Sequence, residues 1–256
     1  MKRAVFTVAI LVLCLAAGFS GAIMDAWADA HLRIDPPYVH IRESFQGQPL
    51  TLSAAIPDGA SAVVELRGQA KELVLLRQGR RGGLWMSVGE VKIANCPSLY
   101  FLLTTEDLKL HADIEKQFGY DVIKNGLTFQ GAIPQNGAAS LFSELVKLKE
   151  HEGLFGVFPG ALKKIESKNG QTWIRGQIFM PGNVSAGVYK ASLFILNSGH
   201  VTEQRRVDLS VEMKGMPAIL ATLAHEHAIL YGVLAVVIAV VTGFVMGFIF
   251  KGRGAH

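Results

Sequence analysis

Three features of the sequence predict a mainly β fold, an immunoglobulin-like β-sandwich with a helical insertion, carried on one C-terminal transmembrane helix. Short β-rich runs recur with Gly, Pro and Asp between them about every ten residues, the spacing of a sandwich. In the middle of the chain, at about 104–152, the period of the apolar residues changes from strand to helix and then returns. Near the end, Ala228 to Phe250 is a run of 23 residues without a charge.

The chain opens with Lys2 and Arg3 ahead of an apolar stretch from Ala4 to Met24. Ala28-Asp29-Ala30 then places small residues where a signal peptidase reads. Residues 1–30 are therefore expected to be a secretory signal, with His31 first in the mature chain. The apolar stretch is longer than the usual signal core, so an uncleaved N-terminal anchor stays open as the alternative.

An exported domain is expected over residues 31–215. "YVHIRES" alternates Val39 and Ile41 with His40 and Arg42, and "PLTLSAAI", "SAVVELRG" and "KELVLLRQ" follow with turns between. "LWMSVGEVKIANCPSLYFLLTT" is expected to continue the sandwich, with Pro97 dividing it into two strands. Thr104 with Asp107 suggests a capped helix start, and Asp107, His111, Ile114 and Phe118 would share one face. A second helix is predicted from about Gly137 to Glu150, with Asn136 as its N-cap. Its stripe is Leu141, Leu145 and Leu148, widened by Phe142 and Val146, and Gly153 would close it. Strands return in "TWIRGQIFM", "GVYKASLFIL" and "VTEQRRVDLSVEM", with "NSGH" as the turn between the last two. Gly187-Val188-Tyr189 has the form of a tyrosine corner, in which a buried Tyr hydroxyl bonds nearby backbone.

Residues 216–227 form a juxtamembrane segment, 228–250 the membrane span, and 251–256 a tail. About 20 helical residues cross a hydrocarbon core, so the span is long enough. Lys251 and Arg253 follow it at once, and basic residues stay on the cytoplasmic side. The tail is thus expected in the cytoplasm and the domain outside.

Charge and cysteine content narrow the functions. A net charge of +4 is unchanged by loss of Lys2, Arg3, Asp25 and Asp29, and no basic stripe suggests nucleic acid. Signal removal takes Cys14 and leaves Cys96 alone, so the exported domain is expected to hold by its core, without an internal disulfide. Cys96 reads as a small buried hydrophobe.

Just before the span, "LAHEHAIL" sets His225 and His227 around Glu226. On a helix the two histidines stand about 200° apart and cannot share a metal. The pattern therefore reads as interfacial polar residues, with a shared metal or proton role as the alternative. No other histidine lies in a ligand cluster, and no GxSxG, GxGxxG or phosphate-cradling loop occurs. No enzyme and no cofactor is expected. Within the span, Ala235, Ala239, Gly243 and Gly247 form an i+4 stripe of small residues, a face against which another membrane helix can pack. Val240 and Val245 are placed on other faces.

"LWMSVGEVKIANCPSLYFLLTT", "IRGQIFMPGNVSAGVYKASLFILNSG" and "HAILYGVLAVVIAVVTGF" together resemble a family of alphaproteobacterial transmembrane proteins of similar length. The shared positions are Trp85, a Pro-Ser-x-Tyr strand at Pro97 and Tyr100, Pro181 ahead of Gly187 and Tyr189, and a Leu-Tyr-Gly opening of the anchor at Tyr231 and Gly232. These positions are structural in kind. The resemblance also implies a neighbouring permease of the sulfite or sulfonate exporter type as a partner. The resulting expectation is a single-pass protein of the bacterial inner membrane with a periplasmic domain. It would act, without catalysis, as a binding or accessory subunit of a transporter, with the lipid bilayer and either a permease or a second copy as partners. The alternative is a metal-handling or redox module using histidines and methionines such as Met86 and Met180.

Overall fold

The computed structural model describes residues 32–108, 112–133 and 137–251. The expected signal, residues 252–256 of the expected tail, His111 and the Asn136 cap lie outside these residues. The strands are β1 (Arg33–Asp35), β2 (Tyr38–Ile41), β3 (Gly47–Pro57), β4 (Ser61–Arg67), β5 (Ala70–Arg81), β6 (Leu84–Pro97), β7 (Tyr100–Thr105), β8 (Thr128–Gly131), β9 (Phe155–Lys168), β10 (Gln171–Pro181), β11 (Gly187–Asn197) and β12 (His200–Met213). The helices are α1 (Ala112–Phe118), α2 (Tyr120–Gly126), α3 (Gly137–His151), α4 (Met216–Glu226) and α5 (Ala228–Lys251).

Nine strands make one sheet in the order β1-β3-β10-β9-β7-β4-β11-β12-β2. Its two edges, β1 and β2, are separated in sequence only by Pro36 and Pro37. Two residues span less than about 10 Å, so the edges must approach and the sheet is nearly closed. The long strand β9 serves both halves: Phe155 to Phe158 run parallel to β7, and Lys163 to Lys168 pair with β10. Inside lies a continuous apolar core, with Leu50, Leu52, Ile56, Leu66, Leu103, Leu193 and Leu209 almost fully buried. Burial of each such side chain contributes roughly 1.5–3 kcal/mol.

Turn chemistry fixes three of the hairpins. Gly82-Gly83, Asn169-Gly170 and Ser198-Gly199 all have positive φ at both central positions, the pattern whose twist matches paired strands.

The strand order also defines two ends. β2 and β12 run parallel and finish together at Ile41 and Met213, from which α4 and α5 continue. Lys190 pairs Arg67, which pairs Tyr100, which pairs Phe155, so β4 ends and β7 and β9 begin toward this same end.

Two expectations are corrected. The first is the helix start at Thr104, which instead ends β7, fully buried with Thr105. Their hydroxyls accept hydrogen bonds from neighbouring backbone, Thr104 from Gly160 N–H at 3.2 Å and Thr105 from Ala62 N–H at 3.1 Å. That use leaves neither free to cap a helix; Glu106 and Asp107 form a turn, and the first described residue of α1 is Ala112. The second is the place of "KELVLLRQ" and "LWMSVGEV". They pair with each other and with β8 in a separate three-stranded sheet. In β6 the buried residues, Val91, Ile93, Cys96 and Pro97, all lie in its second half, while Leu84 to Val88 are exposed, so the upper hairpin has no face to bury in the main sheet.

In α3, Leu141, Phe142 and Leu145 are buried and Val146 packs on the core. Leu148, expected in the stripe, is 39% exposed. Gly153 (φ +70°) follows α3 and donates to Glu150 O at 2.9 Å.

Candidate functional site

The membrane segment is built first. α5 holds the 23 apolar residues Ala228–Phe250, none of them buried against the β-domain. At 1.5 Å per residue it is about 35 Å long, enough for a hydrocarbon core of about 30 Å with some tilt. His225 and His227 flank its start differently. His225 is in the last turn of α4, its Nδ1 2.9 Å from the Ala221 carbonyl. His227 breaks the helix between α4 and α5 and accepts the Tyr231 N–H at 3.0 Å. The two rings thus belong to different structural contexts. Tyr231 and Gly232 lie in the first turn of α5, on its exposed surface.

Ala235, Ala239, Gly243 and Gly247 are exposed along α5, and a Cβ added at Gly243 or Gly247 would meet nothing. Val240, expected on another face, lines one shallow groove with Gly243, Phe244, Gly247 and Phe248. Three residues before Gly243 is nearly a full helical turn, which places Val240 beside the glycines.

On the β-domain, the remaining expected residues occupy separate places. Trp85 is exposed near the β5–β6 turn, with the Arg80 guanidinium 5.6 Å from its ring centroid. Pro97 ends β6 and is buried beside Cys96. Cys96 is buried, its thiol 3.7 Å from the Pro97 carbonyl, and burial pushes it above the usual thiol range. It borders a cavity of about 200 Å³ with Lys71, Lys149 and Asn183. Pro181 ends β10. Gly187 opens β11 with φ +149°, and a Cβ there would meet Gln69 Oε1 at 2.8 Å. Tyr189 is buried and its hydroxyl donates to the Ser185 carbonyl at 2.7 Å. Met86 is exposed on β6 and Met180 buried in β10, in different sheets. Among the described residues no group of three His, Cys, Asp or Glu side chains could hold a metal.

Tyr100 is fully buried at the start of β7, donating its hydroxyl proton to the Phe118 carbonyl at 2.6 Å. That bond ties α1 to the outer face of the sheet. Burial and the nearby Glu65 charge push the phenol far above its usual range. Glu65 Oε2 lies 3.5 Å from the same hydroxyl. Desolvation raises the Glu65 carboxyl above the usual carboxylate range, and Arg67, the Tyr100 hydroxyl and Arg206 offset part of that rise.

Around Glu65 the sheet forms a cleft of about 490 Å³, bordered by Arg67, Lys190, Ser192 and Arg206. Sequence reasoning missed it. Glu65 and Arg67, like Lys190 and Ser192, do sit two apart on outward positions of their strands, but only the cross-strand register brings the pairs together. Three cations against one carboxylate give the cleft a positive balance, suited to an anionic group.

No curated protein matches the chain in sequence. Residues 31–252 match one family model, and the match takes in the β-domain, the inserted helices and α5 together. Because it covers most of the chain, from the strands to the end of the apolar helix, the chain belongs to the family described as "Putative transmembrane protein (Alph_Pro_TM)".

Proposed function

We propose that this is a single-pass protein of the bacterial inner membrane whose β-domain lies in the periplasm and acts, without catalysis, as a binding or accessory subunit of a membrane transporter. In this reading residues 1–30 are a cleaved signal and the tail after α5 is cytoplasmic. The observation that carries it is the state of α5. An apolar helix of 23 residues, with no residue buried against its own domain, leaves its whole surface for lipid and for other membrane helices. The positive cleft beside Glu65 supports a binding role for the domain, and its charge suits a small oxyanion.

The nine strands are read as an immunoglobulin-like sandwich. What supports this is the strand order, with β1-β3-β10-β9 on one side, β7-β4-β11-β12-β2 on the other, and the first strand pair divided between them. The Tyr189–Ser185 bond at the start of β11 has the form of the tyrosine corner of such folds.

Two measurements test the proposal. A reporter active only outside the cytoplasm should work when fused after Gly215 and fail when fused after His256; activity at both points or at neither removes the single-pass orientation. The full chain, extracted gently from native membranes and analysed by mass spectrometry, should carry an integral transporter in constant ratio. Recovery of the chain alone under several mild detergents would remove the accessory role.

A further inference from the structure

β5 and β6 extend the β4 and β7 ribbon beyond the main sheet. Only Gly68-Gln69 and Ser98-Leu99 intervene, and the ladder continues across them, Gly68 N–H to Leu99 O and Ser98 N–H to Gln69 O, both at 2.9 Å. The ribbon therefore leaves the sheet at the end from which α4 and α5 leave. Its base is packed: Val91 and Ile93 are buried and β8 pairs with Val91 to Ala94. Beyond Ala132, whose N–H donates to Glu90 O at 2.9 Å, no described strand pairs with it on either side.

That free part combines positive charge with exposed apolar side chains. Between Glu72 and Glu90 the sequence has Arg77, Arg80 and Arg81 and no acidic residue. Leu84 and Trp85 at the tip are each 68% exposed, with Leu76 and Met86 exposed behind them. Arg80 stacks over Trp85, so the cation and the aromatic ring are presented together. Exposed apolar side chains of this size, gathered at one tip, mark a contact surface. Trp beside arginine is the composition that settles at a lipid headgroup layer, the ring among the glycerol groups and the guanidinium on phosphate.

Reach decides whether the bilayer is accessible. α4 has 11 residues and separates the domain from the span by at most about 17 Å. The ribbon from Ala70 to Arg81 is about 40 Å long. It is more than twice the stand-off.

We propose that the β5–β6 tip docks on the surface of the same bilayer that α5 spans, and that its specificity is for anionic phospholipid. The inference rests on α5 being inserted, and it is independent of any transporter.

The test uses the full chain with Trp27→Phe and Trp173→Phe, leaving Trp85 as the reporter. It is reconstituted in phosphatidylcholine vesicles, alone or with roughly one-third phosphatidylglycerol, with bromine on the acyl chains. Trp85 emission should shift to the blue and be quenched by bromine in the anionic vesicles, with protection from aqueous iodide. Quenching should be much weaker in phosphatidylcholine alone. Arg80→Gln with Arg81→Gln should reduce quenching in anionic vesicles to the neutral level, as should high salt. A Trp85 that stays open to iodide and unquenched by bromine, in vesicles from which carbonate does not extract the chain, overturns the proposal. Protection of Trp85 only in native membranes, with a protein cross-linked at the tip, overturns it equally in favour of a protein partner. Carbonate extraction of the chain would instead show that α5 had failed to insert.

Discussion

Glu43 Oε1 accepts a hydrogen bond from the Met216 backbone N–H at 2.6 Å, joining the loop after β2 to the first turn of α4. The contact explains Gly215 between them, whose φ is +77° and where a Cβ would stand 2.8 Å from the same carboxylate oxygen. A carboxylate at a helix N-terminus also opposes the positive end of the helix dipole. The bonds from backbone N–H groups, Glu43's own and then that of Met216, hold the Glu43 carboxyl below its usual range.

This linkage has a defined pH sense. A carboxyl with a lowered folded pKa supports the folded contact above its unfolded pKa and loses that support as pH falls through the folded value. Glu43→Ala should therefore reduce hydrogen-exchange protection of the Met216 amide at neutral pH, and wild-type protection should approach the variant's in acid. Equal protection in the two proteins at neutral pH would show that the contact does not order the junction.

Tyr189→Phe removes the donor to Ser185 without changing ring volume. The orphaned carbonyl should cost about 1 kcal/mol, read as a lower urea midpoint with an unchanged denaturant slope. A midpoint equal to wild type would show that water replaces the hydroxyl freely.

Glu65 has the opposite sign to Glu43. Its pKa is raised mainly by desolvation, so its ionised form is less stable folded than unfolded. The cost is present above the folded pKa and absent below the unfolded one. Glu65→Gln should raise Tm in mildly alkaline buffer, with the gain vanishing toward about pH 4. A Tm lowered at all pH values would mean that the arginines bind this carboxylate more strongly than burial penalises it.

The small residues of α5 are tested by size. Gly243→Leu and Gly247→Leu keep the segment apolar and insertable but fill the groove beside Val240. Val245→Leu and Ile249→Leu lie on the side of the helix away from the glycines and serve as controls. Loss of cross-linking to a helical partner with the glycine changes alone is expected; identical behaviour of all four would reduce α5 to a tether.

How far the sequence leads depends on the range of the interaction that decides each element. The 23-residue span, the Ser198-Gly199 turn and the helix at Gly137 are written in local composition and period. Thr104 misleads because its hydroxyl serves Gly160, a partner 56 residues away that no local pattern reveals. The ribbon of β5 and β6 reads as two more strands of the sandwich because alternation shows a strand without showing its neighbours. The Glu65 cleft has the same origin: its charges come from β4, β11 and β12, and register alone assembles them.

The side-by-side ending of β2 and β12 bears on how the molecule carries mechanical load. Any tug on the anchor, from a moving partner or a bending membrane, enters the domain along the axis of β12. That strand is antiparallel to β11 from His200 to Val211 and parallel to β2 from Ser210 to Met213, so it is bonded along its whole length and on both sides at Ser210 and Val211. Force along a strand stretches bonds that lie across it, so the whole ladder resists together in shear and none can be peeled open singly. The domain is thus joined to α5 through a strand whose ladders are loaded in shear.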